Sequence, residues 1–515
     1  MVFSSHLFVF YFLPLALLVY YALPRRGKHA GLTLLSYLFY GWANPLFVVL
    51  MFASTLIDYV CGLVMTGQLT RPAWGRPVPM LSPRPPGSVE HKPGPWYHWL
   101  LVPRVWSWVR EPDAHRTRGQ KLALVVSIVS NLSLLGFFKY FNLAASSYDG
   151  LVAALGLSGL SLDLAFKITL PLGISFYTFQ SMSYSVDVYR GEARAIRHFG
   201  DFACYVSMFP QLVAGPIIRF QEVADQLRSR TYTAEKFARG VSLVCLGLAK
   251  KVLIANVCGK VADMVFDAGS AGFLDAWFGV TAYAFQIYYD FSGYSDMAIG
   301  LGLMLGFVFP KNFDSPYRAG SITEFWRRWH ISLSTWLRLY LYFPLGGNRL
   351  GRARTYVNLG LVMLLGGLWH GASWNFVIWG GIHGAMLALE RARGKRSVYH
   401  RLPRAAKVAI TFAVVCVAWV FFRSPDLPSA VQYCGSLAGL RGAWGGAGLV
   451  GGLIYRPYYL LVFALAAGIT WAGPQTWDWT RKLTAPKAAA VVGLFWLSLV
   501  VLTTQSFNPF IYFIF

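Results

Sequence analysis

Charged residues are scarce in this sequence. Only 13% of its 515 residues are Asp, Glu, Lys or Arg, whereas 56% are hydrophobic and the mean hydropathy is +0.47. Soluble globular domains carry roughly a quarter charged residues, about twice this share. The composition therefore excludes a soluble enzyme, a disordered chain and a secreted disulfide scaffold, and it predicts a protein whose surface is covered by lipid.

Several familiar motifs are also missing. There is no G-x-x-x-x-G-K-[ST] phosphate loop and no G-x-S-x-G elbow, which argues against ATP-driven transport and ordinary serine hydrolysis. Six cysteines are scattered without a C-x-x-C pair, and they are expected to behave as small hydrophobic residues. The first residues lack the basic stretch and small-residue cleavage site of a signal peptide, so we predict a retained first span.

Acidic residues are few beside basic ones, 22 against 46, and the net charge is +24. In a soluble protein this excess would suggest nucleic acid, but here the basic residues cluster between apolar runs, as they do in cytoplasmic loops of membrane proteins. We expect contact with membrane lipid and no nucleic-acid partner. The basic clusters at 25–28, 68–121 and 391–407 should face the cytoplasm, with the N-terminus outside.

Apolar windows long enough to cross a bilayer core, which needs about 20 residues, recur along the chain. They lie near 3–23, 30–50, 51–66, 121–141, 149–165, 168–188, 200–217, 237–258, 272–308, 332–346, 356–372, 374–390, 406–423, 456–473 and 486–503. The windows 149–165 and 332–346 suit re-entrant or buried segments, and 272–308 is too long for one upright helix. We predict an all-α polytopic protein with about 10–13 transmembrane or re-entrant helices.

The whole chain, 1–515, is predicted to be a single membrane domain with one insertion. Residues 68–121 are basic and rich in Pro and Trp, which argues against a packed domain. We expect a cytoplasmic loop with an interfacial aromatic helix.

Polar side chains at membrane depth are expensive to bury, so each marks a candidate functional position. Residues 171–190 (PLGISFYTFQSMSYSVDVYR) place Gln180 and Asp187 among apolar residues, which suits either helix packing or contact with a substrate. Residues 209–219 (FPQLVAGPIIR) contain Pro-Gln and Gly-Pro breaks, and broken helices at membrane depth normally line a cavity.

Two acids lie close together in residues 286–300 (QIYYDFSGYSDMAIG). Asp290 and Asp296 are six positions apart, about 600° around a helix, so they lie on different faces. The spacing argues against a paired-carboxylate site and favours capping or pairing with a nearby Arg. Asp290 and Gln286 are also candidates for contact with substrate.

The richest polar region comprises residues 321–349 and 364–384. Ser321 and Glu324 form an S-x-x-E capping box, so a helix is predicted to begin there and to carry Trp326 and His330 on one face. Its Arg- and Trp-rich sequence would, taken alone, suit an interfacial anchor.

His370 differs from the other histidines because it follows five apolar or glycine residues and Trp369, and it is expected to lie inside the membrane. Imidazole can take a proton near physiological pH, which makes His370 the best candidate general base. A buried structural histidine is the alternative for any single position, but His330, His370 and His383 fall within 54 residues. Metal binding is disfavoured because their spacings match no His-x₃-His or H-E-x-x-H pattern.

Four strings of residues resemble those of a known family. They are QIYYDFSGYSDMAIG (286–300), FWRRWHISLSTWLR (325–338), YFPLGGNR (342–349) and LLGGLWHGASWNFVIWGGIHG (364–384), and they are similar to strings of the membrane-bound O-acyltransferase (MBOAT) superfamily. The opening MVFSSHLFVFYFLPL and residues 171–191 resemble its bacterial branch that contains the membrane subunit of alginate O-acetylation. The insertion at 68–121 is longer than this resemblance leads us to expect.

The resemblance implies a multi-helix fold with a central tunnel that holds an essential histidine. His370 in LWHG matches that histidine, and His330 in RWHIS matches the second histidine of the family. Bacterial relatives take an acyl group from a cytoplasmic thioester, here acetyl-CoA by implication, and pass it outward across the inner membrane. A periplasmic acetyltransferase-type partner often completes transfer onto polysaccharide, and no bound cofactor is expected.

The residues suit this chemistry. A thioester is already reactive, so the protein must position the carbonyl, deprotonate a hydroxyl and stabilise the oxyanion. In this hypothesis His370 is the base and His330 orients the acyl group or relays a proton. Asn375, or backbone N–H groups freed at Gly366–Gly367, would stabilise the oxyanion.

Substrate contacts are predicted at the same two segments. Trp369 adjoins the candidate base, and Arg327, Arg328 and Arg349 would attract the phosphates of CoA at the cytoplasmic mouth.

Other functions remain as alternatives. Peptidoglycan O-acetylation and D-alanyl transfer to teichoic acid belong to the same class, although D-alanyl transfer needs a carrier-protein thioester, and the sequence gives no indication of a carrier dock. A polysaccharide or lipid transporter, with the histidines as proton relays, belongs to another class. Transporters commonly show related halves, and none is visible here.

Overall fold

The computed structural model describes residues 2–66, 117–164, 166–269, 271–394, 401–440, 448–505, 507–509 and 511. Within these ranges the chain is helical and contains no β-strand, which confirms the all-α prediction. Of the predicted insertion, residues 68–116 lie outside the described residues. Its last residues, 117–121, begin a long helix, in which Thr117 and Gln120 cap each other's backbone N–H groups.

The helices of the described residues are numbered here in chain order. They are α1 (Leu7–Ala22), α2 (Lys28–Gly41), α3 (Pro45–Met65), α4 (Arg118–Ala154), α5 (Ile174–Arg190), α6 (Phe199–Ser207), α7 (Phe209–Leu212), α8 (Phe220–Arg228), α9 (Ala234–Phe266), α10 (Phe273–Met304), α11 (Ile322–Arg328), α12 (Ile331–Leu337), α13 (Gly351–His370), α14 (Trp374–Arg393), α15 (Arg404–Arg423), α16 (Leu427–Leu437), α17 (Gly448–Ile454), α18 (Pro457–Trp471), α19 (Thr476–Trp479) and α20 (Ala485–Thr504).

In the part of the chain that the structure describes, five helices are long and apolar enough to cross a membrane, namely α3, α4, α9, α15 and α20, and α1 and α18 are shorter apolar helices. Several predicted boundaries are wrong. The break expected between residues 50 and 51 lies at 42–44, because Asn44 accepts a 3.0 Å hydrogen bond from Leu46 N and Pro45 starts α3. The window 149–165 is not a separate segment, since its first residues end the 37-residue α4.

Glycines bring α9 and α10 into close contact. A Cβ atom at Gly247 on α9 would lie 2.4 Å from the carbonyl oxygen of Gly293 on α10, and one at Gly240 would lie 2.6 Å from that of Gly300. The two pairs are seven residues apart on each helix, so they recur on one face after two turns. Small residues of this kind let membrane helices approach closely.

Buried apolar side chains form two clusters. One gathers α1–α3, α5 and the segment 199–223 with the first part of α9 and the last part of α10, and the other gathers the remaining parts of α9 and α10 with α15. Trp369 belongs to the first cluster and Trp379 to the second. The end of α13 therefore lies where the two clusters meet, and this is the position of His370.

Candidate active site

His370 is the last residue of α13, and extended Gly371 separates it from α14. Its side chain is buried, with 7% of the residue exposed. The imidazole centroid lies 4.9 Å from the ring of Trp369, 5.2 Å from Trp379 and 5.4 Å from Phe422, at interplanar angles of 68–82°. Three aromatic rings thus surround the candidate base and hold its orientation.

A cavity of about 120 Å³ adjoins this imidazole. Trp369 and His370 form part of its wall, together with Lys139, Gly173, Ser175 and Val213. Leu172 and Gly173 also line it and are partly exposed. No described residue hydrogen-bonds to the His370 ring, so both ring nitrogens are available to a substrate.

His330 lies elsewhere than the sequence predicts. The predicted helix begins at Ser321, whose hydroxyl accepts from Glu324 N at 3.1 Å, but Glu324 reaches Gly320 N instead of completing a reciprocal box. The helix ends at Arg328, and His330 adopts a left-handed backbone with φ +43° and ψ +57°. Trp326 and His330 therefore do not share a helix face.

The helix ends where residues 312–314 form hydrogen bonds with the backbone on either side of His330. Asp314 N donates to Arg328 O, and Ile331 N donates to Asn312 O, both at 2.9 Å. The Asn312 side-chain oxygen also lies 3.3 Å from Nδ1 of fully buried His330. Together with Ser332 Oγ, which lies 3.4 Å from the same ring nitrogen, these contacts fix His330 between α11 and α12.

The three histidines of the sequence prediction form an array through two tryptophans. The ring of Trp369 lies 6.3 Å from His330 and 4.9 Å from His370, and the ring of Trp379 lies 5.2 Å from His370 and 5.0 Å from His383. Nε2 of His330 and Nε2 of His383 are buried without a hydrogen-bond partner among the described residues. Of the three, only His370 lines the cavity.

None of the predicted oxyanion donors lines the cavity at His370. Asn375 donates from Nδ2 to the carbonyl oxygen of Ser424 at 2.9 Å, and it does not line the cavity. The expectation of free N–H groups at Gly366–Gly367 is wrong, because α13 continues through both residues to His370. Gly367 instead permits close packing, since a Cβ there would lie 2.2 Å from Phe376 O.

Asp290 and Asp296 point to different partners, as their spacing predicts, but both partners are lysines instead of an Arg. Asp290 pairs with Lys251 at 2.8 Å and accepts from Ile511 N, and Asp296 pairs with Lys250 at 2.6 Å. Gln286 is buried, and it does not line the cavity at His370. Substrate contact by Asp290 and Gln286 stays a prediction.

The arginines of this region differ in whether their side chains have a partner. Arg328 pairs with Glu324 at 2.9 Å and donates to Asp314 O at 3.1 Å. Arg327 is exposed and makes no hydrogen bond or ion pair with a described residue, and Arg338 lies close enough to Arg219 and Arg327 to feel their charges. Among the described residues of this region, Arg327 and Arg338 therefore carry positive charge that no ion pair neutralises.

Lys139 is a site residue that the sequence analysis missed. It lies on α4, only 8% exposed, and lines the cavity with His370. Its ammonium donates to the carbonyl oxygens of Trp369 at 2.5 Å and His370 at 3.1 Å. The available signal was a lysine inside the apolar window 121–141, which is unusual at membrane depth.

The two other polar segments flank this site. Residues 174–190 form the largely buried α5, whose first turn contributes Ser175 and Phe176 to the cavity wall. The segment 209–219 breaks as predicted, with the four-residue α7 followed by non-helical residues, and its Val213 lines the same cavity. The prediction of a cavity-lining broken helix is confirmed.

Comparisons with known proteins identify the family of this chain. The sequence model of MBOAT, the membrane-bound O-acyltransferase family, matches residues 126–424. The chain is 40% identical to the "Probable alginate O-acetylase AlgI" of Pseudomonas putida over the whole of both chains. It is 41% identical to the protein of that name from Pseudomonas aeruginosa, covering 95% of this chain and 85% of the relative.

A further relative is the "Peptidoglycan O-acetyltransferase" of Helicobacter pylori, which is 34% identical over 86% of this chain and 80% of the relative. The family match includes α13, α14 and the cavity wall, and the full-length relatives extend it to the remaining helices. The chain therefore belongs to the membrane-bound O-acyltransferase family and is a multi-pass membrane acyltransferase.

Proposed function

We propose that this enzyme takes an acetyl group from acetyl-CoA on the cytoplasmic side of the bacterial inner membrane and passes it outward for O-acetylation of an exopolysaccharide such as alginate. A periplasmic acetyltransferase-type protein completes the transfer. The relatives named alginate O-acetylase, which match along the whole chain, support this substrate class. The single structural observation that carries the chemistry is the unbonded imidazole of His370 beside a cavity.

His370 acts as the general base in this proposal. Its imidazole removes the proton from an acceptor hydroxyl while the hydroxyl oxygen forms a bond to the thioester carbonyl carbon. The carbonyl electron pair moves to oxygen, giving a tetrahedral oxyanion. When the C=O bond re-forms, the C–S bond breaks and the thiolate leaves with the proton that His370 holds. The products are the acetyl ester and free CoA.

His330 has a supporting role. It is separated from His370 by the ring of Trp369, at 6.3 Å and 4.9 Å, respectively. We propose that His330 orients the acyl group or relays a proton, and that Trp369 contacts the substrate. Arg327, which has no partner among the described residues, attracts the phosphates of CoA together with Arg338.

The test uses purified full-length enzyme with radiolabelled acetyl-CoA and alginate oligosaccharides, in the presence and absence of periplasmic extract. Label on the oligosaccharide is the expected result, and His370→Ala should abolish it. The matched control is His383→Ala, because His383 is buried in the same aromatic array but does not line the cavity. Full turnover by His370→Ala in folded protein would remove His370 from the chemistry.

Peptidoglycan acetylation is the second candidate, because a peptidoglycan O-acetyltransferase is among the relatives. The same assay with peptidoglycan fragments distinguishes the two acceptors. A D-alanyl donor would transfer label only from a carrier-protein thioester. Comparison of the acetylated polymers in cells with and without the gene identifies the acceptor in vivo.

A further inference from the structure

Acyl transfer at His370 requires a group that stabilises the oxyanion. Preorganised donors aimed at the developing negative charge are usually the largest contribution to such catalysis. Asn375 does not line this cavity, and the Gly366–Gly367 N–H groups lie within the continuous helix α13. The cavity wall contains another hydrogen-bond donor, and this donor is positively charged.

That donor is Lys139. An ammonium has three N–H donors, and two of them reach Trp369 O and His370 O. The third has no acceptor among the described residues. Because Lys139 and His370 line the same cavity, this N–H is available to a molecule that reacts there.

The positive charge of Lys139 is not neutralised within the described part of the chain. No described carboxylate forms an ion pair with the Lys139 ammonium. By contrast Lys251, which is also buried, pairs with Asp290 at 2.8 Å. Two carbonyl dipoles compensate a buried charge only in part, and unpaired charge at membrane depth is expensive. An anion in the cavity would supply the missing counter-charge.

The first turn of α5 adds to the positive electrostatic potential in the cavity. Gly173, with φ +73°, precedes the helix and lines the cavity. It lies so close to the broken segment that a Cβ there would be 2.5 Å from Leu212 O. The backbone N–H of Ser175 has no acceptor among the described residues, and the N-terminus of a helix carries partial positive charge. Lys139 and this helix end thus face one cavity.

We propose that Lys139 is the oxyanion-stabilising residue of the enzyme, and that the α5 N-terminus assists it. The inference rests on the proposed function, in which the thioester carbonyl enters this cavity. As the acceptor oxygen bonds to the carbonyl carbon, the carbonyl oxygen gains the electron pair and accepts from the third N–H of Lys139. When the thiolate leaves, the pair returns to the C=O bond and the contact weakens.

The experiment compares Lys139→Met, Lys139→Gln and Lys139→Arg in the full-length enzyme. The matched control is Tyr140→Phe, since Tyr140 OH donates to Leu368 O at 2.7 Å and so caps the same helix end without a charge. We expect kcat to fall about 10²–10³-fold for Lys139→Met and Lys139→Gln, the loss seen when one oxyanion donor is removed. KM for acetyl-CoA should change little, Lys139→Arg should retain part of kcat, and Tyr140→Phe should resemble the unmodified enzyme.

Two results would overturn the inference. If Lys139→Gln has the kcat of the unmodified enzyme, a neutral side chain that caps the end of α13 is sufficient, and the charge of Lys139 is not needed for catalysis. Equal losses of kcat in Lys139→Met and Tyr140→Phe, in step with their loss of thermal stability, would mean a structural role. If Lys139→Met does not fold, the Gln and Arg variants decide. The proposed function is judged separately in this assay by acetyl transfer in the unmodified enzyme and its loss in His370→Ala.

Discussion

Substitution of Gly367 by Ala is expected to disturb the catalytic end of α13. The new Cβ would lie 2.2 Å from Phe376 O and 3.4 Å from the Cα of Gly380, both backbone atoms of α14. Close carbon–oxygen contacts begin at about 3.3 Å, so the two helices must separate by about 1 Å. Overpacking of this kind costs about 1–3 kcal/mol, which the better helix propensity of Ala offsets by at most about 1 kcal/mol.

The activity should fall more than the stability. His370 lies three residues beyond Gly367 on the same helix and contacts Trp379 of α14. A displacement of about 1 Å in a catalytic group can lower the rate about 10²-fold. The assay is acetyl transfer by purified Gly367→Ala protein, together with its thermal unfolding temperature.

Gly360→Ala is the matched control, because Gly360 lies two turns earlier on α13 and a Cβ there meets no atom within 4 Å. Its unfolding temperature should be unchanged or raised, with normal activity. If Gly360→Ala and Gly367→Ala have the same unfolding temperature and the same turnover, the close contact between α13 and α14 is not the reason for glycine at 367.

Three further predictions concern stability, measured as thermal unfolding of purified protein. Asp290→Ala should destabilise the fold by about 3–5 kcal/mol, because it leaves the charge of Lys251 buried without its partner. Adding Lys251→Met should recover most of this loss. Equal unfolding temperatures of the single and double variants would contradict the prediction. Arg328→Gln should lower the unfolding temperature more than Arg327→Gln, because only Arg328 forms an ion pair, whereas Arg327→Gln should raise KM for acetyl-CoA. Asn375→Ala should lower the free energy of unfolding by about 1 kcal/mol through its lost hydrogen bond, and kcat should be retained. A large loss of kcat without loss of stability would mean that Asn375 takes part in the reaction.

Local sequence was sufficient to nominate His370 and to predict the break at 209–219. In both cases the signal is contained in a few neighbouring residues, namely a polar ring after an apolar run and proline–glycine breaks within one. The same local reasoning predicted Ser321 as the N-cap of α11, but it did not predict where the helix ends. The end at Arg328 depends on hydrogen bonds from residues 312–314, which the capping pattern cannot reveal.

The sequence by itself determined that the protein is helical and embedded in lipid, because scarcity of charge and the length of apolar runs are properties of composition and order. It also determined a candidate base, since an imidazole within an apolar run is evident without its neighbours. Only the tertiary structure decided what faces that base. Lys139 lies 231 positions from His370, and their approach requires α4, α5 and α13 to pack around one cavity. Contacts between distant parts of a chain follow from the shapes of packed helices, and no local pattern of residues encodes them.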